Sequence, residues 1–428
     1  MAERQHRPSS PPAGLRVERV DIRRLRLPLL ESLDAAHGPT TGSHRELTVV
    51  ALTGDSGVSG WGECAALATP GYWHETASST FTTLAGLAAG LPGRRVLDLT
   101  DPSTVDGLDP AQRPMAAATL EMAALDLLLK VEDQSLADWL GCSRSVVPAG
   151  ATVGLGPAAA VSERVAELAT AGYRRVKVKI VPDTALTVVT AVTERLATMF
   201  GVDARGRLQG FELHVDGNGG YAGRTGDKGV ASRAIDSRAI EGGAVDAAAV
   251  AALVGMARLG VQVIEQPFAP GDEVAAAALR SALIEADLTT LVMADEAATS
   301  IACARDVFAA GAADGMVVKP SRLGGLESAR RAIANLAADG AAVAVGGMVE
   351  SALGRHSLAA VAALEGVTVT GDLSPARRWL RDDPWPDVDT IEIDGVLHVV
   401  VPTGPGVAPP PDPDKIAAYT IEHQSTSR

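Results

Sequence analysis

Five short apolar runs in this chain each stop at charged residues: RRVKVKI, GFELHVDGN, VQVIEQP, LVMADE and DGMVVKP. Short β-branched runs that end this way read as buried parallel strands, each delivering side chains to the same end of a sheet. Their terminal charges follow a fixed order along the chain. Lys177 and Lys179 come first, then Asp216, Glu265 and Asp295, then Lys319. Three more apolar runs, AGATVG at 149–154, AAVAVGG at 341–347 and VTVTGD at 367–372, bring the strand candidates to eight, with helical stretches between them. Strand and helix repeated eight times is the sequence form of a TIM-type (β/α) barrel.

The rest of the chain divides around that unit. VERVDIRRLRLPL and ELTVVALTGDSGVSGWGE alternate and turn at Gly-Asp-Ser-Gly, as an antiparallel sheet does. PMAAATLEMAALDLLLK has apolar residues at helical spacing behind a proline. The expected organisation is a tail over 1–15, an α+β capping domain over 16–146, a modified barrel over 147–380, and a C-terminal segment, 381–428, that returns to the capping domain. Within that segment IEIDGVLHVVV reads as a hairpin packed on the first domain, and IEHQSTSR as a frayed end. The longest gap between site candidates lies between Asp216 and Glu265. Its surplus, residues 222–246, is rich in glycine and charge and reads as a surface insertion.

Composition excludes several classes. A net charge of −14 argues against a nucleic-acid partner, because phosphate binding needs a basic face. No segment approaches the roughly 20 apolar residues of a membrane span. Cys64, Cys142 and Cys303 are few, widely spaced and odd in number, which fits a reducing cytoplasm and neither a disulfide framework nor a zinc site.

The chemistry follows from strand geometry. Residues at the carboxyl ends of barrel strands face the mouth. Lys177 and Lys179 are two apart, so both point to one side. Neighbouring strands lie about 4.8 Å apart, close enough for Asp216, Glu265 and Asp295 to share one ion. All-oxygen ligation suits a hard cation, magnesium, with manganese as the alternative. A divalent cation facing an amine base suits removal of a proton beside a carboxylate, since the cation offsets the charge of the enediolate that forms. Each element alone has a plainer explanation. A lone Lys-x-Lys is usually a solvated strand edge, and an Asp or Glu after a strand is usually a helix cap. His214 alternates to the same face as Asp216 and reads as a packed histidine or one supporting the ligands. Order, strand context and regular spacing together favour the enzyme over a non-catalytic protein on an enzyme fold.

VKVKI, VDGN, IEQP, ADE, VKPSRLGG and GGMVESALGR resemble the barrel motifs of the enolase superfamily, muconate-lactonising subgroup. The likeness is closest to the o-succinylbenzoate synthase and N-acylamino acid racemase family. It extends to WGECAALATPGYWHET, AATLEMAALDLLLK, VTGDLSPARRW and VPTGPGVAP, and so covers nearly everything from Val17 to Ala418. The resemblance implies that Asp216, Glu265 and Asp295 ligate magnesium, with Asn218 and Glu296 supporting them. Lys179 is then the general acid/base, Lys319 stands on the opposite face of the substrate, and Lys177 supports the carboxylate and tunes Lys179. Gly346, Gly347 and Met348 would line the pocket, and loops at His37–His44 and Ala68–Trp73 would cover it. Two departures stand out: Gly217 where alanine is usual, and Ala297 where serine is frequent. The implied substrate is a small carboxylate and a homo-oligomer is expected. Dipeptide epimerase and muconate cycloisomerase are the alternatives. The segment ending in Gly-Asp-Leu lacks the Asp-x-Asp of the first of these.

Overall fold

The computed structural model describes residues 14–35, 38–39, 42–204, 206–223 and 244–428. Most of the insertion after Asp216, the tail up to residue 13, and His37, Thr40 and Thr41 of the first covering loop therefore lie outside the described residues. Leu15, the last residue assigned to the tail, is buried in the capping core.

Seven of the apolar runs form one curled parallel sheet in chain order. Its strands are Gly150–Val153, Arg175–Lys179, Glu212–Asp216, Val263–Glu265, Leu291–Ala294, Gly315–Val318 and Ala342–Val345. Helices between them cover the outer face, so most of these strands are apolar up to their ends; Arg175, Lys177, Glu212 and His214, on the second and third, are the main exceptions. Several of these helices begin at a side-chain cap, such as Asp246, Asp272 and Ser300.

The eighth run, expected as a full strand, is a correction. It is reduced to an isolated parallel bridge between Ala344 and Val369, with the Asp372 amide donating to Val345 O and the Gly150 amide to Leu373 O. Those bonds still close the barrel, and they place Asp372 at its mouth.

Inside the barrel, Val263, Met293, Val317 and Ala344 form a small cluster of their own. Each sits two residues before a mouth position: Glu265, Asp295, Lys319 and Gly346. Side chains two apart on a strand share a face. The apolar plug and the charged layer above it are thus consecutive floors of one interior.

The capping domain is a four-stranded antiparallel sheet carrying Val17–Pro28, His44–Gly54, Ser59–Cys64 and, at one edge, Thr420–Ser427, with the Pro114–Val131 helix packed on it. The residues read as a frayed end are therefore an ordered strand, in register from Arg19 opposite Ser427. Main-chain bonds hold it, with an ion pair of Arg24 with Glu422 and a hydrogen bond between Asp21 and His423. The hairpin Thr390–Ile393 and Val396–Val400 also departs from expectation. It pairs with Val146–Pro148, at the entrance to the barrel, rather than with the first domain.

Capping side chains grip the barrel at three buried points. Glu63 accepts from the amides of Ser351 and Gly354, at the start of the Ala352–Ala362 helix. Glu121 accepts from the amides of Leu326 and Glu327, which open the Leu326–Ala338 helix. Arg45 donates to the carbonyls of Met348 and Val349 as well as to Ala65 and Ala66 on its own side. Both carboxylates take the place of helix caps, using the partial positive charge of a helix start.

Candidate active site

Register brings the expected residues together. Lys179 lies opposite Asp216, and Asp216 opposite Glu265, across neighbouring strands. Asp295 follows the fifth strand and Lys319 the sixth. In a barrel of eight, the second and sixth strands stand across the mouth from each other, so Lys179 and Lys319 face one another over the carboxylates.

All of these groups but Lys179, which is half-buried, are buried. Asp216, Glu265, Asp295 and Glu296 are no more than 6% exposed. Their side chains meet amines and a guanidinium. Lys179 Nζ donates to Asp216 Oδ2 at 2.6 Å and Asn218 Oδ1 at 2.8 Å. Lys177 Nζ lies 2.7 Å from Glu265 Oε1 and 3.1 Å from Asp216 Oδ2. Lys319 Nζ lies 2.7 Å from Asp295 Oδ2, and Arg322 donates to the same carboxylate and to its backbone carbonyl. Asn218 Nδ2 donates to Glu296 Oε1 at 3.0 Å, which ties the third strand's turn to the fifth.

The electrostatics are those of a site with carboxylates in excess of room. Burial favours the neutral form of Glu265, and Asp216 beside it adds repulsion, pushing its carboxyl up to about 8. Burial and Asp295 push Glu296 up to about 7. For Asp216, burial acts the same way, but Lys179 and Lys177 outweigh it and hold the carboxyl low. Burial is likewise overcome at Asp295, by Arg322 and Lys319. Lys177 is desolvated too, yet Asp372, Glu265 and Asp216 keep it charged well above its ordinary range.

Asp216, Glu265 and Asp295 suit a hard divalent cation in donor type, in adjacency and in shared demand for positive charge. Glu296 Oε2 is also buried without a hydrogen-bond partner. As the side chains stand, the carboxylates turn to the lysines. Among the described residues no three His, Cys, Asp or Glu side chains are arranged around one ion position.

Lys177, Lys179 and Lys319 line a small cavity of about 50 Å³ together with Leu33, Gly347, Val349 and Asp372. Larger cavities, of about 650 and 720 Å³, lie at the amino-terminal end of the barrel and against the C-terminal segment, and hold none of the lysines or carboxylates above. Gly347 borders the small cavity as expected. Gly346 instead makes room for its neighbours on the sixth strand: a Cβ there would stand 2.9 Å from Lys319 Cε and 2.6 Å from Val317 Cγ1. Met348 is buried beneath Arg45, and Val349 lines the cavity in its place. His214 is packed one floor down, its Nδ1 accepting from Arg175 Nε at 2.9 Å and its ring kept neutral by burial, with a pKa of about 4.

Three residues of the site were not singled out by sequence reasoning. Tyr72, on the Ala68–Trp73 loop expected over the mouth, puts its hydroxyl against Lys319 Nζ and 3.2 Å from Asp295 Oδ2. Arg322 lies three residues after Lys319 in a motif already noticed, and is 2% exposed. Asp372 bridges Lys177 and Arg175. Arg322 had a usable signal, an arginine inside an apolar turn; Tyr72 and Asp372 are brought in by long-range contacts.

The chain is similar to several known proteins. Residues 160–415 match the enolase C-terminal domain-like family, and residues 28–141 match the mandelate racemase / muconate lactonizing enzyme N-terminal domain. An N-succinylamino acid racemase from Amycolatopsis is 31% identical, over 95% of this chain and 98% of its own. An o-succinylbenzoate synthase from Geobacillus stearothermophilus is 30% identical, over 95% and 96%. The solved structure of a probable mandelate racemase from Alicyclobacillus acidocaldarius superposes with a TM-score of 0.73 at 26% identity, over 96% of this chain and 99% of the other.

Proposed function

The chain belongs to the mandelate racemase / muconate lactonizing enzyme family of the enolase superfamily, and on that premise we propose that it removes a proton α to the carboxylate of a small substrate, as an o-succinylbenzoate synthase, an N-succinylamino acid racemase, or both. The observation that carries this reading is the pair of lysines on opposing strands, Lys179 and Lys319, with three buried carboxylates on the strands between them.

In this reading Asp216, Glu265 and Asp295 hold magnesium, with Asn218 and Glu296 fixing their surroundings. A bound divalent cation supplies positive charge where proton removal leaves a doubly negative enediolate. Lys179 takes the α-proton from one face of the substrate. For racemisation, Lys319 returns one on the other face; for the synthase reaction, Lys179 alone acts as base, water leaves, and the Lys319 ammonium stands beside the developing charge. Lys177 contributes a fixed positive charge toward the substrate carboxylate. Tyr72 and the loop around it exclude water from the mouth, which strengthens each of these interactions. Asp372 is committed to Lys177 and Arg175. That weighs against a dipeptide epimerase, which needs acidic groups there for a substrate amine.

The test is exchange of the α-proton in heavy water, followed separately for each enantiomer of an N-succinylamino acid. Lys179→Ala abolishes both racemisation and dehydration. Lys319→Ala abolishes racemisation but retains exchange for the enantiomer served by Lys179. If Lys319→Ala racemises both enantiomers as the parent does, the two-base reading is wrong.

A further inference from the structure

Lys177 has three carboxyl partners, and they are not alike. Glu265 Oε1 at 2.7 Å and Asp216 Oδ2 at 3.1 Å belong to the proposed ligand set. Asp372 Oδ2, at 2.6 Å, comes from the segment that closes the barrel on the other side of Lys177. Asp372 is itself fixed. Its Oδ1 accepts from Arg175 Nη1 and from Thr152 Oγ1, the latter at 2.9 Å, and its carbonyl accepts from Arg355 Nη1 at 2.9 Å. Arg175 is held in turn by His214. Asp372 is thus anchored from the first, second and seventh βα units of the barrel and makes no contact with Asp216, Glu265 or Asp295 among the described ion pairs and hydrogen bonds.

That asymmetry matters once two of the three partners are claimed. A carboxylate that ligates a cation has less charge to offer an ammonium, and a buried ammonium without an anion is costly. With Asp372 present, Lys177 keeps a full ion pair while Asp216 and Glu265 turn away. Without it, the only carboxyl groups within ion-pair distance of Lys177 among the described residues are the ligands themselves, and the ammonium competes with the cation for them. We propose that Asp372 is a positioning residue: it draws Lys177 off the cation-binding carboxylates and holds its ammonium at the mouth. The inference rests on the reading of Asp216 and Glu265 as ligands.

The experiment is calorimetric titration of magnesium chloride into the full-length, chelator-stripped protein and its variants. Asp372→Asn preserves an acceptor for Arg175 and Thr152 but removes the charge. It is expected to weaken magnesium binding about 10- to 100-fold, the usual range for groups that support ligands. In a Lys177→Met background the same substitution is expected to change affinity little, because the competitor is gone. Equal losses in both backgrounds would mean that Asp372 acts only by its long-range charge, and no loss would mean that it does not act at all; either overturns the inference. A crystal structure of the unmodified protein grown with magnesium gives an independent reading should Asp372→Asn not fold. Lys177 Nζ is expected to remain on Asp372 while Asp216 and Glu265 face the ion, and its departure from Asp372 would overturn the proposal. Failure of the unmodified protein to bind magnesium would instead remove the metal reading, and this inference with it.

Discussion

Gly325 offers a sharp test of how the two domains are joined. It precedes the Leu326–Ala338 helix with φ 140° and ψ −176°, a conformation open essentially to glycine. A Cβ there would stand 1.8 Å from Glu121 Oε2 and 2.4 Å from its Cδ. Gly325→Ala therefore carries two costs: backbone strain of about 1–3 kcal/mol and overpacking of about 1–3 kcal/mol against a carboxylate held by two amides. The sum, about 2–6 kcal/mol, corresponds to roughly 4–12 °C in Tm for a large domain. Thermal and denaturant unfolding of Gly325→Ala, Glu121→Ala and the double variant would measure it. Glu121→Ala removes the clash but not the strain, so the two losses should fall short of additivity by about 1–3 kcal/mol. A Gly325→Ala protein within about 0.5 kcal/mol of the parent, or strictly additive losses, would refute the assignment of Glu121 as the cap that fills this space.

Three further outcomes are expected. Burial, opposed by the Glu327 and Leu326 amides, pushes the Glu121 carboxyl up to about 8, so its contribution to stability is present below the ordinary carboxyl range and lost as pH rises through about 8. Glu121→Gln should gain on the parent, by on the order of 4 kcal/mol, between pH 5 and pH 9 in unfolding experiments; a constant difference would contradict this. Chelation should abolish activity and added magnesium restore it, with Asp295→Asn weakening magnesium binding without loss of the fold by circular dichroism; full activity in chelator would exclude the metal role. Tyr72→Phe removes the hydroxyl between Lys319 and Asp295 and should slow exchange on the Lys319 face about 10- to 100-fold, the worth of a hydrogen bond to a charged group, while sparing the Lys179 face; equal slowing of both would assign the loop a general role only.

The barrel was legible because its strands are buried on both faces and end at charge. That leaves an apolar run with a marked carboxyl end, and the period of two then places Glu265, Asp295 and Lys319 above the plug of Val263, Met293 and Val317. The same logic failed where structure is held by other means. IEHQSTS carries no apolar pattern because Thr420–Ser427 is an edge strand secured by backbone bonds and an ion pair. VTVTGD has a strand's composition but makes only one bridge. Glu63 and Glu121 sit in a strand and a helix of the capping domain, and their purpose is written in helix starts hundreds of residues away. A cap supplied from another domain leaves no local signature.

The edge strand Thr420–Ser427 also dictates an order of events during synthesis. Its partner, Val17–Pro28, is translated before the whole barrel. Until the final strand is made, one flank of Val17–Pro28 is an open row of amides and carbonyls, a template for pairing with another nascent chain. The barrel, translated in between, is complete before the sheet that covers it. In the cell, the capping sheet is therefore the exposed partner during translation, and a chain stalled before Thr420 would carry a finished barrel and an unsealed sheet.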